Sequence, residues 1–431
     1  MKRVPKTWAV MLVVLILFTM LHGSALAQGE DVNPEEAVQA VYTSSEEAPV
    51  TLWVGDNEPS LFGTVQEAVY AVHSTNVTSE TTFTIEIAEG VYSDGPIQIK
   101  QHENKNIILQ PAEGADVTFT DSAYIQIDGM GRYYGTESLT IKGITFDFRG
   151  ATQNLSCIAA YQLEPGHHIY VHNVVVEDCQ FIGTGTSQTQ VVAVSTPASG
   201  GHAAIKLIKC VAENTYALFS GYTTDLTVEG CRVVTTAGSG INEQSGGNLT
   251  VRNSYFDVTK YGIRSGSGKK APASGKAIVV ENCFIRSLGD GETDDETVIV
   301  LRGGAPSSVQ ISRSALVNPD RPVLVLNYAG EDFSSGFTLD MRGNYWKSTA
   351  GDRPAEGMFK NLSLEQVLYD PWYTDVNRTK LASKHKVLNL DRTTVHSSIQ
   401  EAVDAAQPGD TIIVGPGTYD EEVVLTNSVK L

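Results

Sequence analysis

The segments LTVEGCRV (226–233) and LTVRNSYF (249–256) carry one pattern: a short alternating strand, a polar or glycine kink, and a second short apolar run. It recurs in LTIKGITF (139–146), VVVEDCQF (174–181), IKLIKCVA (205–212), IVVENCFI (278–285), VQISRSAL (309–316) and TLDMRGNYW (338–346). Aligned on the residue after the kink, the column reads Ile144, Cys179, Cys210, Cys231, Ser254, Cys283, Ser314 and Asn344. Successive spacings are 35, 31, 21, 23, 29, 31 and 30 residues. Strands repeating at such a period, with no long helix between them, read as stacked coils and exclude a βαβ sheet.

The expected fold is therefore all-β, a right-handed parallel β-helix solenoid. Val and Ile dominate the strands because they suit a pleated surface buried on one face. Gly and Asn are expected at the corners, where left-handed backbone is tolerated. The uneven spacing predicts loops of different length, the longest over 149–170, 184–201 and 265–276.

The first coil of such a stack exposes a hydrogen-bonding edge and needs a cap. Val65, Ala68, Val69 and Val72 make one apolar stripe at helical spacing, and Thr64 to Glu67 fits a capping box. This predicts a short N-terminal capping helix over 64–72. Ile399, Ala402, Val403 and Ala406 repeat the stripe behind Ser398 and Glu401. A strand and a glycine turn follow in both places, TIEIAEGVY (84–92) and TIIVGPGTY (411–419). One module thus begins near residue 50 and a second near 387.

The first 27 residues read as an export signal: basic Lys2, Arg3 and Lys6, an apolar run from Trp8 to Leu21, and a small-residue cleavage site at Ala25-Leu26-Ala27. The expected layout is a signal peptide (1–27), an acidic lead-in (28–49), a β-helix (50–375), a linker (376–386) and the truncated start of another module (387–431). The chain is accordingly expected to be part of a longer secreted or cell-surface protein, with no transmembrane segment once the signal is cleaved. Its 431 residues carry a net charge of -19. Without the three basic residues of the signal, 28 basic face 50 acidic side chains, a balance of -22. That surface excludes nucleic acid as a partner and favours a polysaccharide or cell-surface glycan, approached through neutral sugars or calcium. Five cysteines are too few for a disulfide scaffold. Four of them share the repeat column and are expected as buried, mostly free thiols.

The motif SIQEAVDAAQPGDTIIVGPGTY (398–419) resembles the opening segment of secreted pectate-lyase-like right-handed β-helix proteins (the pectin lyase fold). GNYWKS (343–348) and YDPWYTD (369–375) resemble the closing segment of β-helix modules in bacterial surface proteins. The resemblance implies the fold and leaves the activity open, because that superfamily includes lyases, esterases, hydrolases, epimerases and noncatalytic adhesins. For a lyase it implies calcium held by carboxylates and an Arg or Lys base. The acidic run GDGETDDET supplies Asp290, Glu292, Asp294 and Asp295 as calcium candidates, and also reads as a solvated loop. Lys206, Arg264, Arg286 and Arg302 are the basic candidates.

For a hydrolase only the Asp294-Asp295 pair is present. His167, His168 and His172 lack partner ligands at a zinc spacing. Tyr345, Trp346, Trp372 and Tyr373 could stack on sugars or seal the last coil. The leading expectation is a noncatalytic polysaccharide-binding or adhesin module. A calcium-dependent polysaccharide lyase acting on a uronic-acid polymer by β-elimination is the alternative, and a purely structural stalk the third reading.

Overall fold

The computed structural model describes residues 50–431 apart from 56–61, 101–103, 121, 129–137, 152–154, 162–169, 186–188, 195–201, 236–237, 245–246, 267–275, 290–296, 303–307, 328–337, 363–365, 384–386 and 416–417. The expected signal and lead-in lie outside the described residues.

Short strands follow one another around each coil and pair in parallel with their equivalents one coil on, which builds three long sheets. Sheet A runs from Val50–Val54 to Val367–Leu368, sheet B from Gly90–Tyr92 to Trp372–Tyr373, and sheet C from Ile97–Lys100 to Phe359–Lys360. The chain visits them in the order A, B, C. This is a right-handed parallel β-helix, the hand expected when twisted strands cross over in parallel.

The corner between sheets A and B is the repeat read from the sequence. The residue before each column position has left-handed backbone in all eight coils: Gly143, Asp178, Lys209, Gly230, Asn253, Asn282, Arg313 and Gly343, with φ between 49° and 68°. Gly and Asn were expected here; Asp178, Lys209 and Arg313 are the departures. Each kink amide donates to a carbonyl of the following coil, as from Lys209 N to Glu229 O at 2.7 Å and from Asn282 N to Ser312 O at 3.1 Å. Each column carbonyl accepts from the following coil, as Cys231 O from Tyr255 N at 2.8 Å and Cys283 O from Ala315 N at 2.8 Å. The inter-coil ladder therefore runs through the corner without a break.

The column side chains complete this satisfaction. Ser254 Oγ donates to Arg252 O at 2.7 Å and accepts from Cys231 N at 3.1 Å. Ser314 Oγ donates to Ser312 O at 2.9 Å and accepts from Cys283 N at 3.1 Å. The Asn344 amide accepts from Ser314 N at 2.9 Å and donates to Ile311 O at 2.6 Å. Thiols serve likewise: Cys283 Sγ lies 3.3 Å from Glu281 O and 3.6 Å from Val251 O. All five cysteines are free and buried.

Inward residues stack coil upon coil. In sheet A they run Leu52, Ile85, Leu109, Ile141, Val176, Leu207, Val228, Val251, Val280 and Ile311, all buried. Sheet B contributes Phe119, Phe146 and Phe181, with ring centroids 5.4 and 5.0 Å apart. Such like-on-like stacking fills the solenoid with side chains that suit one pleated face.

Helix α1 (Val65–Ser74) closes the first coil. Its capping box forms between Thr64 and Glu67, and Val65, Ala68, Val69, Ala71 and Val72 are buried. Gln66 replaces the missing coil beside the first strand of sheet C: its amide accepts from Gln98 N at 2.5 Å and donates to Gln98 O at 3.3 Å. Lys105 Nζ donates to Val72 O at 2.9 Å and His73 O at 2.7 Å, satisfying carbonyls at the helix end.

The C-terminal region repeats these contacts. Ser398 caps helix α2 (Ile399–Ala405). Gln400 bonds both sides of Val424, accepting from its N at 2.6 Å and donating to its O at 3.3 Å. Tyr419 Oη donates to Gly415 O as Tyr92 Oη donates to Ala88 O. Unlike Val50–Val54, which pairs in parallel with its neighbour, Val387–Asn389 pairs antiparallel with Thr394–His396 and Ile412–Val414. The stretch expected as a linker folds back: Leu381–Ala382 pairs antiparallel with Trp372–Tyr373, and Arg378 donates to Arg313 O at 2.6 Å.

Left-handed backbone costs a residue with a Cβ about 1–2 kcal/mol, partly offset by glycine's larger unfolded entropy. Lys209→Gly should raise stability by about 0.5–1 kcal/mol and Lys209→Val should lower it, read as denaturation midpoints. Burial holds the Lys105 ammonium down to about 8. Between that pH and about 10.4, the value of free lysine, the native state has shed a proton that the unfolded chain keeps. Stability from this group therefore rises with pH across that window. The stability difference between the wild type and Lys105→Met should shift toward the wild type as pH climbs from 8 to 10.

Candidate functional site

From Gly143 to Gly343 the A–B corner has a fixed length, so across those coils length variation is confined to the two corners that border sheet C. Glu281 to Phe284 and Arg252 to Tyr255 cross from A to B with two residues between the strands. By contrast, the chain runs from Ser265 to Ala277 between sheets C and A, and from Ser287 to Ile299 between sheets B and C. Long connections flanking one face of a rigid scaffold are where binding residues concentrate. The outward face of sheet C is therefore the candidate site.

Its central outward column reads Gln98, Gln126, Ala159, Ala193, Ser220, Asn242, Arg264, Val300, Leu326 and Lys360. Outward residues of sheet A, such as Lys206 and Gln310, are exposed. Here Ala159 and Val300 are fully buried, at 0% exposure, while Ala193, Ser220 and Asn242 between them keep 7%, 8% and 9%. Arg264 is partly open and lies over the Tyr261 ring, 5.3 Å from its centroid. Tyr261 also packs with Val300, Leu326 and Val323 in a small apolar cluster separate from the main core.

Polar groups converge along this part of the column. Asn242 Nδ2 donates to Ser220 Oγ at 3.2 Å. Asn242 Oδ1 is buried and has no hydrogen-bond partner. In the next register position Ser265 Oγ donates to Glu243 Oε2 at 3.2 Å, and both residues are buried. Glycine at 240 lets the coils approach here: a Cβ on Gly240 would sit 2.3 Å from Gly262 O. The strip thus goes from small and neutral (Ala159, Ala193) through hydroxyl and amide (Ser220, Asn242) to cation on an aromatic face (Arg264 on Tyr261). Such a sequence of groups can hold a hydroxyl-rich ligand laid along the coil axis.

The basic residues singled out by sequence divide among three faces. Arg264 and Arg302 share sheet C: Arg264 lies beside Val300, and Arg302 follows the Ile299–Leu301 strand with its amide on Ser265 O at 2.9 Å. Lys206 stands on sheet A, between Val175 and Thr227. Arg286 stands on sheet B, where its Nε donates to Asp257 Oδ1 at 2.7 Å, and this pairing raises its pKa. The four do not form one constellation. Asp290, Glu292, Asp294 and Asp295 lie outside the described residues, in the chain between Ser287, where that coil's sheet B strand ends, and Ile299 of sheet C. His167 and His168 lie outside them too. Among the described residues no group of three or more His, Cys, Asp or Glu could hold a metal ion.

The aromatic candidates also divide. Trp346 points inward, is fully buried, and packs on Phe359 with ring centroids 5.5 Å apart, so it cannot meet a sugar from the surface. Strand alternation explains this: Tyr345 and Trp346 are neighbours and so face opposite sides. Tyr345 and Tyr373 share an outward column on sheet B, and Trp372 packs on Tyr369 at 6.3 Å. Further along that column Tyr255 and Phe284 stack face to face, 4.9 Å and 8° apart, with Arg232 5.7 Å from the Tyr255 centroid. Their flat faces are spent on each other.

Cys210 and Cys283 are not poised as nucleophiles. Burial pushes Cys283 up to about 12, and the hydrogen bond to Cys231, then burial, raises Cys210 further. Ser220 and Asn242 escaped sequence reading because the third strand of each coil is only a few residues long. Its signal is the recurrence LFSG (218–221), GINE (240–243), GIRS (262–265), VIVL (298–301) and LVLN (324–327), whose third residue faces out.

No protein-family model, curated protein or solved structure matches the chain. Among the described residues no helix is long and apolar enough to cross a membrane.

Emptying a buried aromatic position costs about 3–5 kcal/mol, so Trp346→Ala should lose that much stability. Tyr345→Ala should cost less than about 1 kcal/mol, as a partly exposed side chain, with both read by chemical denaturation.

Proposed function

We propose that the protein is a secreted or cell-surface β-helix of pectate-lyase-like architecture that binds a polysaccharide along sheet C without cleaving it. The observation that carries this reading is the outward column in which Ser220, Asn242 and Arg264 occupy three consecutive coils. A linear polymer runs parallel to a coil stack, so groups repeated from coil to coil meet successive sugars. The acidic balance of the chain supports a ligand rich in hydroxyls over one rich in charge. The cap contacts repeated around α2 support tandem modules, as in surface adhesins.

A calcium-dependent lyase is the second reading. It is favoured by Arg264 and Arg302 on one face, and by the acidic run 290–296 in the chain just before that face. In that chemistry the cation would neutralise the uronate while an arginine removes the proton beside it.

The deciding experiment incubates the full chain with pectate, alginate and glycosaminoglycans, with and without calcium. It follows unsaturated-product absorbance, and measures binding on a glycan array in parallel. Glycan binding without product is expected. Calcium-dependent product on any of these polymers would replace the binding reading with the lyase.

A further inference from the structure

We propose that Ser220 and Asn242 form a subsite that takes a hydroxyl group of a neutral sugar, with Asn242 Oδ1 as the acceptor; this rests on the glycan-binding reading above. Buried polar atoms in native proteins are almost always paired, and each exception calls for a physical cause. Asn242 is 91% buried by its 9% exposure, yet one end of its amide has no partner. The other end donates to Ser220 Oγ at 3.2 Å. Ile241 of the same strand is buried in the core, and alternation directs Asn242 away from it, through the sheet C face that also carries Arg264.

The chemistry of the empty position selects the ligand. An amide oxygen needs a donor, and a carboxylate has none to give. Ser220 Oγ accepts from Asn242 and retains a proton to donate, with no acceptor for it among the described residues. One acceptor and one donor side by side match a sugar hydroxyl, which gives one hydrogen bond and receives another. A bare carboxylate would meet the oxygen of Asn242 as a like partial charge. The subsite thus favours a neutral hexose or pentose unit over a uronate at this coil, and it needs no calcium. The stretch from Ala193 to Arg264 covers three strand spacings, about 14 Å, the length of a short oligosaccharide segment.

Removal of the amide has a precedent in the fold, because Ala159 and Ala193 occupy the same column. Asn242→Ala should therefore fold and should not lower the thermal midpoint. The full chain is tested by affinity electrophoresis in soluble β-glucan, xylan, mannan and pectate, with and without chelator. The wild type is expected to be retarded by at least one neutral polymer, and Asn242→Ala to bind it about tenfold more weakly, the usual worth of one hydrogen bond. Wild-type binding that Asn242→Ala leaves unchanged overturns the subsite and leaves the glycan-binding reading standing. Binding to pectate alone, abolished by chelator, overturns the subsite and favours the lyase. No retardation in any polymer overturns the binding reading and the subsite with it. If Asn242→Ala does not fold, Ser220→Ala decides in its place: weaker binding supports the subsite, and unchanged binding overturns it.

Discussion

A residue held in left-handed backbone between sheets A and B turns the chain by the same angle in every coil, from Gly143 to Gly343. Because the turn is tight, the strands on either side are fixed in register with those of the next coil. Because its amide and the next carbonyl both bond onward, the parallel ladder passes through the corner unbroken. Two of three sheets are thereby locked to one repeat. Across those eight coils, variation in coil length has nowhere to go except the two corners beside sheet C. The same constraint that sets the fold thus decides which face is bordered by long connections.

The chemistry of the column follows from that backbone. A left-handed corner brings main-chain carbonyls close to the next side chain, and the column amide needs an acceptor from the coil beyond. Small side chains with a donor and an acceptor meet both needs, and Ser254, Ser314 and Asn344 do so directly. Cysteine meets them more weakly but fills the apolar interior better. Its recurrence is therefore structural: these thiols are buried, free and held well above their usual range at Cys179 and Cys283. Where sheet C meets the cap of the stack no coil remains to pair with, and the side-chain amide of Gln66 stands in for one.

The A–B repeat was legible in the sequence because its two strands and its corner keep constant length, so eight segments align without gaps. The cap was legible for the same reason: a short helix with a capping box has a local signature. Lys209 and Arg313 at left-handed positions were not legible, since nothing in their side chains announces φ near 50°. Sheet C was legible least. Its strands at Ile241–Glu243 and Ile263–Ser265 are three residues long and float between connections of unequal length, so their register with the other sheets is fixed only in three dimensions. That is why Arg264 and Arg302 could be named from the sequence but not distinguished by face from Lys206 and Arg286. Trp346, read as able to stack on a sugar or to seal the last coil, is put in the core by strand alternation on sheet B.

Function on this scaffold is a matter of what the variable face carries, and the scaffold itself rests on the corner. Native-state hydrogen exchange tests that claim most directly. The amides of Val211, Arg232, Tyr255, Phe284, Ala315 and Tyr345 each donate to a column carbonyl of the preceding coil. If the corner ladder holds the stack together, these amides exchange only through global unfolding and share one free energy of opening. Exchange at rates typical of exposed loops, or a graded series of unrelated opening energies along the column, would contradict the account.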